Sequence, residues 1–437
     1  MLINLTSPPD WRRLHRTLPA GLDPLRRVPV PRDLDAISDI GAAETDPTAV
    51  GMTAGGVAQI WTQAQRLYRW GMYPALTLCI RRCGEIVLDR SMGWAHGVGS
   101  AGELATPQTP FCIYSSSKAI TATVIHLLDE RGVLNIGDRV CDYLPEFRGD
   151  HREDITIEHV LSHRAGIPTI PRELNDLDRL DDHDFMLEAI SRVPVRSRPG
   201  SQLAYHAVSG GIVLGEVVRR ATGQDIRAVL SELILNPLGF RWTNYGVAPT
   251  DLPLVGACVP TGLPVFPPLS TMLTRALGLP ADEVTRIGND PRFLTGILPS
   301  ANVVSTANEL SRFMDLLRAG GTLDDVQILR PRTIRRAIRE RSYHQVDHTL
   351  GLPIRHGAGF MLGADRLSLY GPDTDEAFGH LGFTNVMAWA DPRRELAVAL
   401  ITSGKPIAGP HLSDLLRLAR TIGDVAPKVA DPLLYQS

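Results

Sequence analysis

Apolar residues recur at helical spacing in some stretches of the chain and at strand spacing in others, and their alternation outlines the fold. Residues 56–70, GVAQIWTQAQRLYRW, have helical spacing. ALTLCIRRCGEIVLDRSMGWA (75–95) holds two β-rich runs around a turn at Arg82–Glu85 and reads as a hairpin. KAITATVIHLLDERG (118–132) predicts a strong helix, with apolar residues at 120, 124, 127 and 128 and Gly132 as its stop. Further helices are predicted over 156–166, 210–223, 305–321 and 412–425. GAGFMLG (357–363) reads as a strand. MAWADPRRELAVALITS (387–403) reads as two, joined by a turn at Asp391-Pro392. Residues 252–300 are Pro-rich and apolar with little periodicity, which suggests a lid or pocket wall. Residues 1–55, rich in Pro, Arg and Asp, read as a loosely structured N-terminal extension. This order predicts an α/β (α+β) chain in three parts: the extension, an α/β domain built from 56–120 and 330–437, and an inserted mainly helical domain over 121–329.

Bulk composition narrows the function classes. The 437 residues are 43% hydrophobic and 21% charged, ordinary for a globular protein with a sizeable core. The net charge of -3 creates no global field for nucleic acid or an anionic membrane, so neither is an expected partner. No run reaches about 18 apolar residues, so no transmembrane helix is predicted. The N-terminus MLINLTSPPDWRRLHR does not read as a secretory signal, which makes a cytoplasmic location the expectation. Five scattered cysteines do not suggest a disulfide framework. Cys79 and Cys83 lack a second Cys/His pair at metal-ligand spacing and read as buried small hydrophobes.

Lysine usage changes the picture. Of 45 basic residues only Lys118, Lys405 and Lys428 are lysines. Arginine is effectively always protonated, whereas a buried lysine can shed its proton. A site that needs an amine as proton acceptor cannot use the arginine this chain otherwise prefers. Lys118 follows Ser115 by three residues in FCIYSSSKAI (111–120), at the start of the strong helix. Residues at i and i+3 share a helix face, so hydroxyl and amine can meet. Free N–H groups at a helix start favour an oxyanion on an acyl group attached there, and a neutral amine could take the hydroxyl's proton. Moving a lysine from pKa ~10.4 to ~7 costs about 4–5 kcal/mol, so the amine must be buried. The plain alternative is a serine helix cap beside a solvated lysine. Ser116 and Ser117 lack a lysine at i+3 and are expected to satisfy local backbone groups.

FCIYSSSKAITATVIHLLDERGVLNIGDRVCDYLPEF (111–147) resembles the active-site region of the serine β-lactamase and penicillin-binding-protein superfamily, in the class C-like branch that includes family VIII carboxylesterases. RPGSQLAYHAVSGGIVLGEVVRRATG (198–223) is similar to the block bearing the family's catalytic tyrosine. AFGHLGFTNVMAWADPRRELAVALITS (377–403) is similar to the block on the strand beside the nucleophile. IEHVLSHRAGI (157–167) and ILPSANVVSTANELSRFM (297–314) match as well, and the likeness runs over about 60–420. The resemblance implies a β-lactamase-like fold, an antiparallel sheet flanked by helices. It implies Ser115 as nucleophile, Lys118 as its proton-accepting partner and Tyr205 as second acid/base with phenolate character. The N–H groups of Ser115 and Phe383 would form the oxyanion hole. His380 and Gly382 would form an H-x-G variant of the third motif, with His380 either contacting substrate or making structural hydrogen bonds. No metal or organic cofactor is implied.

Departures from the family pattern bear on substrate. The tyrosine motif reads Tyr205-His206-Ala207, where β-lactamases carry an asparagine at the third position. His206 stands beside the tyrosine as a possible substrate contact. His380 replaces a permanent cation and is mostly neutral near pH 7. Both changes point away from anionic β-lactams and toward small neutral esters, with short acyl chains, for which 252–300 could supply an acyl pocket. A β-lactamase or D-amino peptidase acting on an amide, an acyltransferase, and a binding module without turnover remain alternatives.

Other motifs fail their context. GVGSAG (97–102) fits G-x-G-x-x-G but precedes GELATPQTP, which cannot open a helix. His159 and His163 at i,i+4 lack the glutamate of H-E-x-x-H and read as packing and loop support. DLDRLDDHD (176–184) lacks the glycine and final glutamate of a calcium loop. No G-x-S-x-G occurs, so a nucleophile elbow is unsupported.

Overall fold

The computed structural model describes residues 23–343 and 345–436. Its central feature is an antiparallel sheet drawn from both parts of the chain. The strands run in the spatial order Ser38–Ile40, Glu85–His96, Ala75–Arg82, Leu396–Thr402, Val386–Asp391, Phe378–Gly382 and Met361–Leu362. The fold is mixed α/β, an antiparallel sheet flanked by helices.

Side-chain size on the two sheet faces sets the layers. Alternate residues of a strand point to opposite faces. Leu76, Leu78, Ile80, Leu396, Val398 and Leu400 share one core with the helices Ala54–Tyr68 and His411–Val425. Ala75, Cys79, Ala388, Ala390, Ala397 and Ala399 belong to the other core, against which helix Ala307–Arg318 packs. The small residues let that helix approach closely. With both faces covered, Ala75–Arg82 and Leu396–Thr402 are buried along their whole lengths.

Helix Ser117–Glu130 joins the sheet to the helical region. It touches the strand Phe378–Gly382 on one side and helix Ser209–Thr222 on another. Every residue from Ser117 to Leu128 is therefore buried, not only the apolar stripe at 120, 124, 127 and 128. Its polar side chains are spent inside: Thr121 bonds the Tyr245 hydroxyl at 2.7 Å and His126 Nε2 lies 2.9 Å from the Ala358 carbonyl oxygen.

Three sequence expectations change. Helix Ala307–Arg318 lies on the sheet, so the chain rejoins the sheet layer well before residue 330. Ser38–Ile40, within the expected extension, adds the edge strand beside Glu85–His96, while residues 1–22 lie outside the described residues. Cys83 is exposed at the hairpin tip with φ 52°, unlike buried Cys79. The segment 252–300 holds the helices Leu269–Leu277, Ala281–Ile287 and Pro291–Thr295. Its start is tied to the sheet domain by Ala257 N–H to Ala95 O and Val259 N–H to Ser403 O, both 2.9 Å.

Candidate active site

Ser115 sits in a 3₁₀ turn, Tyr114–Ser116, that leads into helix Ser117–Glu130. Tyr114 has φ 48°, the left-handed region, which costs a non-glycine residue about 1–3 kcal/mol. Tertiary contacts hold it there. The Ser117 hydroxyl donates to the Tyr114 carbonyl at 2.5 Å and accepts from the N–H of Val303 at 3.0 Å. Ser116 donates to the carbonyl of His380 at 3.1 Å, fastening the turn to the strand Phe378–Gly382. Both serines thus satisfy backbone groups, as expected from sequence.

Lys118 is almost wholly buried, at 8% exposure. Its Nζ lies 3.1 Å from Ser115 Oγ, 2.7 Å from the Ala207 carbonyl and 3.0 Å from the Ser300 carbonyl. Burial pushes its pKa down to about 7. Nζ can donate to all three oxygens as an ammonium; once it sheds a proton, it keeps two N–H groups for the carbonyls and a lone pair to accept from the Ser115 hydroxyl. The carbonyls come from the Tyr-His-Ala block and from the ILPSANVV block, so three distant stretches of sequence converge on one nitrogen.

Tyr205 stands beside this pair. The ring centroid is 5.0 Å from Lys118 Nζ and 4.7 Å from the His163 ring. Burial drives its pKa well up, and hydrogen bonding with Ser115 offsets only part of the rise. Burial thus weighs against the phenolate character that the resemblance implies. An apolar surround disfavours an ammonium and a phenolate alike. Its N–H donates to Asp347 Oδ1 at 3.0 Å, an oxygen that also accepts from Thr349 and Leu350 at 2.8 and 2.9 Å. Sequence reasoning missed Asp347. The available signal was Asp-His-Thr, in which an aspartate bonds the N–H two residues on.

His380 is buried, and its Nδ1 lies 2.7 Å from the Leu381 carbonyl, so Nδ1 carries the proton. Nε2 keeps its lone pair and has no partner. Burial first, and Lys118 second, hold the pKa well below 6.5. The position thus supplies no cation. Gly382 meets the nucleophile turn directly: a Cβ there would stand 2.2 Å from the Ile113 carbonyl oxygen. Phe383 follows, its ring 5.7 Å from that of Tyr114. Among the described residues no acceptor takes the N–H of Ser115 or Phe383. His206 borders a small cavity with Lys118 and His163, its ring stacked 5.8 Å from that of His163. It is fully buried, its Nε2 accepts from the N–H of Ile167 at 3.1 Å, and its own N–H donates to His163 Nδ1 at 3.2 Å. Its side chain serves packing, not the substrate contact expected of it. Among the described residues no cluster of His, Cys, Asp or Glu is placed to hold a metal ion, and no helix is long and apolar enough to cross a membrane.

A family model described as Beta-lactamase matches residues 56–421. The chain belongs to the beta-lactamase family. At family level it is a serine hydrolase. This beta-lactamase family member is 27% identical over 330 residues to "Esterase/beta-lactamase LipL" of Mycobacterium tuberculosis, covering 73% of this chain and 74% of that one. It is 33% identical over 220 residues to "Esterase EstB" of Burkholderia gladioli, 46% of this chain and 54% of the relative. A solved structure titled as a family VIII carboxylesterase superposes with a TM-score of 0.73 at 26% identity, covering 84% of this chain and 98% of that one.

Proposed function

We propose that this protein hydrolyses small, neutral carboxylic esters through an acyl-enzyme on Ser115. The observation that carries the reading is the buried Lys118 amine, its Nζ 3.1 Å from Ser115 Oγ and 2.7 and 3.0 Å from the carbonyl oxygens of Ala207 and Ser300. Lys118 takes the hydroxyl proton as Oγ bonds to the ester carbon, and the carbonyl electrons move onto oxygen. The N–H groups of Ser115 and Phe383 stabilise that oxyanion. Collapse breaks the bond to the alcohol, which leaves with a proton passed through the Tyr205 hydroxyl and the Lys118 ammonium. Water then adds to the acyl carbon, the same groups take its proton, and the acid departs as Ser115 is restored.

The preference for neutral substrates rests on the missing cation at His380 and on Ala207, which has no amide to offer a β-lactam side chain. EstB is named as an esterase, the solved structure as a family VIII carboxylesterase and LipL as both esterase and beta-lactamase, which supports an ester as substrate. A p-nitrophenyl acyl ester series on the wild type and Ser115→Ala tests the reading, beside a chromogenic cephalosporin. Activity is expected to peak at short acyl chains and to vanish in the variant. Faster turnover of the cephalosporin, or an active Ser115→Ala, would overturn it.

A further inference from the structure

Lys118 and Lys405 are both buried in a chain that has only three lysines, and the reaction above uses one of them. Lys428 is accounted for by its ion pair with Asp373 on the surface, at 2.6 Å. Lys405 is 3% exposed. Its Nζ donates to the carbonyl of Thr402 at 2.7 Å and stands 4.8 Å from the ring centroid of Tyr114. Tyr114 is the left-handed residue immediately before Ser115. Its ring contacts both Lys405 and Phe383, the residue whose N–H would complete the proposed oxyanion hole. Its hydroxyl is buried without a partner and abuts Gly288, where a Cβ would come within 2.0 Å of it. The backbone of Lys405 also donates to Val259 O at 2.9 Å, at the start of the 252–300 segment.

We propose that Lys405, through its contact with the Tyr114 ring, is a positioning residue that sets the Ser115 and Phe383 N–H groups for the oxyanion. The arrangement gives the pair a definite task. A tyrosine in a left-handed turn must be held from outside, and the ring is the only large handle it offers. The Lys405 head sits over the ring at 4.8 Å and fixes its place, while burial holds the amine's pKa below the ordinary lysine value. A lysine tip is compact, which suits a space closed by Thr402 and the ring; a branched guanidinium is larger and planar. Both oxyanion donors flank this ring, one on its own chain neighbour and one on the residue packed against it. Lys405 touches neither the reacting atoms nor the Ser115–Lys118 pair, so its loss should act on transition-state binding and leave ester binding alone.

This inference rests on the esterase reading, and the experiment separates the two. Steady-state kinetics on a short p-nitrophenyl ester are measured for the wild type, Ser115→Ala, Lys405→Met, Tyr114→Leu, Tyr114→Phe and the Lys405→Met/Tyr114→Leu double variant. Inhibition by an alkyl boronic acid is measured alongside inhibition by the carboxylic acid product. The boronic acid bonds Ser115 Oγ to boron and sets an oxygen where the oxyanion would lie. Lys405→Met and Tyr114→Leu are each expected to lower kcat about 10-fold or more, with KM within about 2-fold. Boronate affinity should fall by the same factor and product affinity should not move. The double variant should be no slower than the slower single one, because the two residues act as a unit. Tyr114→Phe should recover most of the rate lost in Tyr114→Leu. Wild-type kcat in Lys405→Met, a loss confined to KM, equal loss of product affinity, or multiplicative effects in the double variant would each overturn the pair. Should Lys405→Met not fold, equal rates for Tyr114→Leu and Tyr114→Phe would do so. An active Ser115→Ala would instead remove the esterase reading itself.

Discussion

The carbonyl oxygen of Ile113 occupies the place where residue 382 would carry its side chain, 2.2 Å from an ideal Cβ. The final turn of the strand Phe378–Gly382 and the turn that carries Ser115 therefore meet backbone to backbone. On the proposed mechanism, contact that close would let one N–H from each segment serve the same oxyanion.

Gly382→Ala should force the two segments apart. A shift of about 1 Å between positioned groups can cost about 100-fold in rate, and kcat on a short ester is expected to fall by that order. The folded state should lose about 1–3 kcal/mol from the overpacking, read in a urea titration. Wild-type kcat in a folded Gly382→Ala would mean that the strand edge does not set the site.

Lys118 gives a pH dependence whose sign is fixed. Its pKa lies near 7 because burial disfavours the ammonium. The neutral amine is the active form, so kcat/KM should rise tenfold per pH unit below about 7 and level off above it. Lys118→Arg, always protonated, should lose about 10²–10⁴-fold at every pH. The unfolded chain keeps the lysine proton up to about pH 10.4 and so binds more protons than the folded chain between the two values. Stability should rise with pH across that window and do so less in Lys118→Met. Denaturant titrations at pH 7.5 and 9.5 read the difference.

Asp347→Ala should damage both fold and rate. Asp347 Oδ1 accepts from Tyr205, Thr349 and Leu350, and removing it strands three N–H groups, each at a cost of about 1–3 kcal/mol. Tyr205 loses its backbone anchor as well. Asp347→Asn keeps an acceptor oxygen and should retain most of both. Equal melting temperatures for the alanine and asparagine variants would show that these bonds do not matter.

A second titration lies away from the site. His183 Nδ1 is 2.6 Å from Glu216 Oε1, and that hydrogen bond raises the half-exposed histidine's pKa against the opposing effect of burial. Burial would raise Glu216, but the bonds from His183 and Arg219 outweigh it and hold the carboxyl low. A raised histidine contributes its full stability below the unfolded value of about 6.5 and loses it as pH passes the folded value. The wild type should therefore exceed His183→Gln in melting temperature at pH 6 by more than at pH 8.5.

The long periodic helices were legible because each buries a stripe that repeats every three or four residues. Helix 210–223 is found at Ser209–Thr222 and helix 412–425 at His411–Val425. Short elements set by tertiary contact were not. GAGFMLG contributes only Met361–Leu362 as strand, because Gly359 packs against Ala122 and bends the chain before the pairing begins. Helix Ala307–Arg318 had the right pattern but no label for its partner. Only the small residues on one face of the sheet, in strands far along the chain, say where it docks.

By itself, the sequence determined the helices, the central hairpins and the pairing of Ser115 with Lys118, since all of these depend on neighbours a few residues away. The scarcity of lysine also singled out Lys118, the position where a removable proton matters. Tertiary structure alone decided that burial brings the Lys118 pKa down to about 7, that burial pushes the Tyr205 pKa up, and that His206 is buried. Those properties depend on what surrounds a side chain in space, and carbonyls from Ala207 and Ser300 reach one lysine nitrogen only when the chain is folded.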